Sequence, residues 1–373
     1  MTNIDKYRGC LIGGAAGDAL GYAVEFSRED QIAARYGAGG IRDYQLDDRG
    51  LAPFSDDTQM TLYTANGLLH ALTRGRLRGI LGPLRDYVSG FYVEWSRTQT
   101  EPYPLADHSA WISALPELFV PRAPGATCLS ACAVGAHGTP EEPINDSKGC
   151  GGIMRVAPAG LLAGPRGADG AAVQRLGAQL AALTHGHELG WLPAGVFAHI
   201  VSALAHGEAD SVRGAAEQAL AVLPEAHPGA RRVGELQELM RLVLRLADST
   251  APDVEAIHQL GEGWVAEEAL AIALLCALRH EDDFEGTVVS AVNHSGDSDS
   301  TGAIAGNIVG ARLGLAGIPR RYTERLELAD VVLALADDLF TGCPITEYCP
   351  SPDGVWEHKY LPPMDYVEWK RGR

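Results

Sequence analysis

The chain has 373 residues, which fits one large domain or two smaller ones. Lys and Arg total 30 against 48 Asp and Glu, a formal charge of −18 that opposes binding to nucleic acid or an anionic membrane surface. Hydrophobic residues at 46% exclude wholesale disorder, while 44 Gly and 21 Pro demand loops and close backbone approaches.

In chain order, an apolar stretch from Cys10 to Val24 comes first. Asp18 interrupts it, and neither a basic leader nor a cleavage site accompanies it, so it does not read as a signal peptide. Helical periodicity then recurs: Leu62, Ala65, Leu69 and Leu72; Val173, Leu176, Leu180 and Leu183; Leu236, Met240, Val243 and Leu246. Leu270, Leu274 and Leu278 continue it, and Ile304, Ile308, Ala311 and Leu315 close it. Strand alternation bounded by turns is absent, so an all-α domain over residues 1–342 is expected. The apolar run 269–278 is far short of the ~20 residues of a membrane span. Gly/Pro-rich connections at 102–105, 121–125, 135–152 and 163–170 are long enough to be functional. Residues 343–373 form a Pro-rich tail with Tyr348, Trp356, Tyr360, Tyr366 and Trp369, too aromatic to hang free, so it is expected to pack on the domain. Seven cysteines without a CxxC pair fit reduced thiols and a cytoplasmic location.

Two constellations carry chemistry. Ser55-Asp56-Asp57-Thr58 stands before an amphipathic helix and reads, taken alone, as an N-cap. His294-Ser295-Gly296-Asp297-Ser298-Asp299-Ser300-Thr301-Gly302 likewise precedes a helix. It imitates the start of an EF-hand, but the twelfth position is Ile308 rather than Glu, which rejects that reading. If the two acidic starts converge, their four carboxylates repel one another unless divalent cations neutralise them. Oxygen donors suit Mg²⁺ or Mn²⁺ rather than zinc, and two such ions ~3.5–4 Å apart would clamp substrate oxygens.

Together these segments resemble the metal-binding signatures of the ADP-ribosylglycohydrolase family. Further resemblance lies in Gly9–Gly13 with Gly17-Asp18-Ala19-Leu20-Gly21 and Glu25, in Gly149-Cys150-Gly151-Gly152-Ile153-Met154-Arg155-Val156-Ala157-Pro158, and in Thr184-His185-Gly186-His187. The resemblance implies an orthogonal multi-helix bundle around a central metal cleft holding two Mg²⁺ or Mn²⁺. It places the ligands on Ser55, Asp56, Asp57, Asp297, Asp299 and Ser300, and catalytic work on Asp56 and Glu25. It assigns substrate contacts to Ser147, Gly149, Gly151, Gly152 and His185, with the glycines facing a pyrophosphate. The implied activity removes ADP-ribose from a modified protein, arginine-linked first, releasing ADP-ribose as product. The alternatives are a serine, poly(ADP-ribose) or small-metabolite linkage, or a non-catalytic ADP-ribose-binding relative. Asp18 reads as a helix-orienting residue, Arg155 as a structural partner of a carboxylate, His187 as a loop histidine, and Trp191 or Tyr22 as shelves for adenine or as core.

Overall fold

The computed structural model describes residues 4–162, 169–346, 351 and 354–361. Tyr348, Tyr366, Trp369, Cys349 and most of the 163–170 connection lie outside the described residues. Among those described, regular structure is helical; the β pairings are isolated bridges, Ala52 with Leu326 and Gly149 with Val265.

The helices that position the site are α1 (Ile4–Tyr22), α2 (Asp56–Arg78), α3 (Leu84–Thr98), α4 (Gly170–Ala182), α5 (Glu188–His206), α6 (Ala266–Arg279), α7 (Phe284–Val292), α8 (Ser298–Leu313) and α9 (Ala329–Thr341). α1 and α8 run against each other at the centre and are buried on every side. Neither has an apolar stripe, because both are built from small residues and covered all round. A Cβ added at Gly13 would sit 2.3 Å from the Gly306 carbonyl oxygen, and one at Gly17 only 2.0 Å from that of Gly302. Backbone therefore meets backbone along this seam, and the Cys10–Val24 apolar stretch is its first strand of contact. The last periodic stripe overshoots, since α8 stops before Gly314 (φ 75°) and Leu315 lies beyond it.

Helix ends follow sequence chemistry. The Ser55 hydroxyl accepts from the Asp57 N–H at 3.2 Å, and Gly79 closes α2 in the left-handed conformation at φ 69°. Asp297 caps α8 through the Ser300 N–H at 3.3 Å. Glu188–His206 is long and apolar enough to cross a membrane by length and composition, which the run-length reading overlooked. It is 94% buried among other helices, as a core helix is.

Part of the tail lies on α2. Trp356 donates its indole N–H to the Thr73 hydroxyl at 2.8 Å, and the Tyr360 carbonyl meets His70 Nδ1 at 2.7 Å. Arg76 donates to the carbonyls of Cys343 and Ile345.

Candidate active site

Asp18, fully buried on α1, organises the first acidic segment. Its carboxylate accepts from the N–H groups of Ser55 at 2.8 Å and Thr58 at 2.9 Å, and from the Thr58 hydroxyl. These are free donors at the positive end of α2, where a carboxylate is favoured. The preceding loop is fixed from the other side. Arg122 donates to the Phe54 carbonyl at 2.9 Å and to both oxygens of buried Glu327, while its own carbonyl accepts from the Asp56 N–H at 3.1 Å.

The second segment turns sharply at Gly296, whose φ of 146° and closeness to the Glu262 carbonyl (1.9 Å from an added Cβ) admit no side chain. The Asp297 N–H donates to that same carbonyl at 2.9 Å. His294 and the Thr301 hydroxyl, 3.0 Å apart, tie the turn to the first turn of α8.

The two segments meet. Asp56, Asp57, Asp297, Asp299 and Ser300 line one cleft of about 280 Å³, together with Glu25, Gly149, Cys150, Gly151 and His185. Ser55 is buried behind it as a cap rather than lining it. Ser147 and Gly152 also lie off the lining. The Ser147 hydroxyl accepts from the Gly149 N–H at 3.3 Å and contacts Thr127, and Gly152 packs against Ala181 and Gly190. The Cys150 N–H is taken by the Trp264 carbonyl at 3.2 Å, so the turn has fewer free donors than its glycines suggest.

Crowded, buried carboxylates hold protons tightly. Burial, then repulsion from Asp299, Asp297 and Asp56, pushes Glu25 up to about 10. Burial and Asp299 raise Asp18 to about 7 despite its three hydrogen bonds. Asp56, Asp57 and Asp297 are raised well above the ordinary carboxylate range, again by burial first and Asp299 second. Asp57 Oδ2 and Glu25 Oε2 are buried without a hydrogen-bond partner, an arrangement that is costly unless something binds there. Among the described residues, no three His, Cys, Asp or Glu side chains already close into a metal shell.

His185 is buried and kept neutral; burial and the nearby Arg155 push it down to about 3. Its Nδ1 meets the Thr184 hydroxyl at 2.8 Å, leaving Nε2 towards Gly149 and Gly151. Among the described residues, Arg155 pairs with no carboxylate, contrary to expectation. Its guanidinium lies 4.1 Å from the Tyr92 ring centre and donates to Thr184 and the Leu180 carbonyl, and its charge props up the histidine segment. His187 is a helix cap, accepting from the Leu189 N–H at 3.0 Å.

Neither Trp191 nor Tyr22 lines the cleft; Trp191 borders a separate depression beside His227. The aromatic wall is instead Phe26 and Trp264, stacked with centroids 6.0 Å apart and 18° between planes. Phe26 is 74% exposed, an unusual state for so large an apolar ring. Sequence reasoning passed over both. The signal available was Phe26 directly after Glu25, and Trp264 directly after Gly263, a glycine at φ 85°.

The sequence profile described as ADP-ribosylglycohydrolase matches residues 1–347. The chain belongs to that family. It is thus an enzyme that hydrolyses glycosyl bonds. It is 26% identical to ADP-ribosylhydrolase ARH3 of Danio rerio over 369 residues, covering 90% of this chain and 89% of that protein. It is 25% identical to the ADP-ribosyl-[dinitrogen reductase] glycohydrolase of Rhodospirillum rubrum, covering 89% and 97%. A 72-residue stretch, 19% of each chain, is 32% identical to ADP-ribosylarginine hydrolase Tri1 of Pseudomonas putida. The fold matches a solved structure described as an ADP-ribosylglycohydrolase-related protein complex, with TM-score 0.62, 26% identity and coverage of 92% and 99%.

Proposed function

We propose that this glycohydrolase removes ADP-ribose from modified protein side chains, arginine-linked first, with two divalent cations held in the carboxylate cleft. The observation that carries the reading is the meeting of the two acidic helix starts in one cleft, with Asp57 Oδ2 and Glu25 Oε2 buried and bare. Oxygen donors from Asp56, Asp57, Asp297, Asp299 and Ser300, with Ser55 behind them, suit Mg²⁺ or Mn²⁺. When bound, such ions supply charge compensation and Lewis acidity towards the distal ribose hydroxyls and a water.

The chain's own residues do the rest. Glu25 and Asp56 stand on the cleft wall as acceptors for the proton of a water attacking the anomeric carbon. Glu25 holds its proton while the cluster is uncompensated, so its service as a base requires positive charge nearby. Asp18 keeps Asp56 and Asp57 aimed by fixing the start of α2. Gly149, Gly151 and neutral His185 form the wall that would take the pyrophosphate, where an uncharged imidazole can donate or accept. The likeness of part of the chain to an ADP-ribosylarginine hydrolase is the argument for arginine.

The test is release of ADP-ribose from arginine-modified, serine-modified and poly(ADP-ribosyl)ated proteins, each with divalent ions and with excess chelator. Fastest release from arginine, lost in chelator and restored by Mg²⁺ or Mn²⁺, is expected. Full activity in chelator would remove the metal reading, and preference for another linkage would remove arginine. Asp297→Asn and Asp299→Asn are expected to abolish turnover with the fold retained.

A further inference from the structure

Among the described residues, His185 is the only imidazole lining the carboxylate cleft, and the ring nitrogen that carries its proton decides what this wall offers a ligand. Its Nδ1 lies 2.8 Å from the Thr184 hydroxyl oxygen. Its Nε2 has no hydrogen-bond partner among the described residues and lies towards Gly149 and Gly151. The Thr184 oxygen is itself held, because it accepts from the Arg155 guanidinium at 2.6 Å. Arg155 is fully buried and cannot turn away to solvent. A guanidinium only donates, so the hydroxyl gives it a lone pair and keeps one proton to donate elsewhere. Of the Ala181 carbonyl at 3.5 Å and His185 Nδ1 at 2.8 Å, the nearer acceptor takes that proton. Accepting from a cation also polarises the hydroxyl and makes it a stronger donor. The reverse arrangement, with Nδ1–H donating to Thr184, would leave the hydroxyl proton the long contact and set another donor hydrogen beside the buried cation.

We infer that Thr184, held by Arg155, fixes His185 as its Nε2–H tautomer, so that the cleft wall meets a ligand with one aimed hydrogen-bond donor. Thr184 and Arg155 are then positioning residues that act through the imidazole. A neutral imidazole whose Nδ1 accepts must carry its hydrogen on Nε2, the nitrogen nearer the glycine turn. Burial, and then the same arginine, keep the ring neutral, so the donor is a single N–H rather than an imidazolium. The inference rests on the reading of the cleft above only in naming what the donor meets. Phosphate oxygens accept and do not donate, and the opposite tautomer would turn a lone pair towards them.

The experiment uses the intact protein labelled with nitrogen-15 histidine and free of ligand, and reads the ring nitrogens by long-range nitrogen–proton NMR. The His185 signals are those that vanish in His185→Gln. A bare Nδ1 and a protonated Nε2 are expected. A protonated Nδ1 in the unaltered protein overturns the inference, and that reading needs no variant of Thr184 to fold. Thr184→Val, which keeps the shape and removes the hydroxyl, should lose the fixed tautomer and bind ADP-ribose about 10-fold more weakly by calorimetry with Mg²⁺ present. Thr184→Ser should restore the tautomer and bring the affinity within about threefold. A Thr184→Val protein that keeps the Nε2–H tautomer overturns the relay, whatever its affinity. An unaltered protein with the Nε2–H tautomer that binds no ADP-ribose supports the relay and overturns the ligand assigned to the cleft instead.

Discussion

Asp18 and Thr58, forty residues apart, are joined twice: one carboxylate oxygen takes both the backbone N–H and the side-chain hydroxyl of Thr58. This link, made inside the core, sets where α2 begins and hence where Asp56 and Asp57 point. Asp18→Asn should lower stability by about 1–3 kcal/mol, because an amide NH₂ would face donors that need an acceptor. Turnover should fall further than that loss explains, with kcat affected more than KM. Denaturant unfolding and steady-state kinetics on the same preparation check this, and Asp18→Glu separates loss of charge from loss of reach.

Metal removal should give stability an unusual slope with pH. Asp18 and Glu25 have folded-state values raised to about 7 and about 10, above those of the unfolded chain. Their stabilising contribution is therefore complete below the ordinary carboxylate range and is lost as pH rises through the raised values. In chelator, Tm should fall steadily between about pH 5 and pH 9, and saturating Mg²⁺ or Mn²⁺ should raise Tm and flatten the slope. A Tm that climbs with pH in chelator would contradict the assigned environment of these groups.

The Arg122–Glu327 pair is almost fully buried and joins the connection between α3 and α4 to the segment before α9. Arg122→Met leaves Glu327 facing a partly exposed Arg49 alone, and Glu327→Gln leaves Arg122 without its counter-charge. Each should cost about 3–5 kcal/mol by denaturant unfolding. The double variant should cost less than the sum.

The glycines divide by surroundings. Gly17→Ala drives a methyl into the Gly302 carbonyl, and should destabilise by about 3 kcal/mol or more, or prevent folding. Gly90, on α3, has nothing within 4 Å of an added Cβ, so Gly90→Ala should stabilise by about 0.5–1 kcal/mol. Thermal denaturation of both variants reads the sign directly.

Phe26 and Trp264 offer a flat apolar wall at the mouth of the cleft. Phe26→Ala should raise KM for an ADP-ribosylated protein by about 10-fold with a smaller change in kcat, since such rings bind rather than react. Equal losses in kcat and kcat/KM would assign the ring to the chemical step instead.

The acidic helix starts were legible because capping and metal ligation ask for the same residues at the same place, and both Ser55 and Asp297 are indeed caps. Their meeting was not legible from spacing, because it depends on which glycines of α1 and α8 touch. Arg155 misled because an arginine suggests a carboxylate partner, whereas here a tyrosine ring, two sulfurs and a threonine surround it. Ser147 and Gly152 were placed on substrate by the family resemblance of their segment, yet that short segment aims only Gly149, Cys150 and Gly151 into the cleft.

Asp18 follows Gly17, and Asp299 follows Ser298, whose carbonyl lies 2.2 Å from a Cβ added at Gly21. Both edges of the pocket are thus mounted on a joint that contains no side chain. Rotamers can relax and methylenes can yield, but two main chains in direct contact have almost no give. Rigid mounting of this kind lets segments as remote in sequence as 17–25 and 297–300 keep a common calibration through thermal motion, with no disulfide between them to lock them.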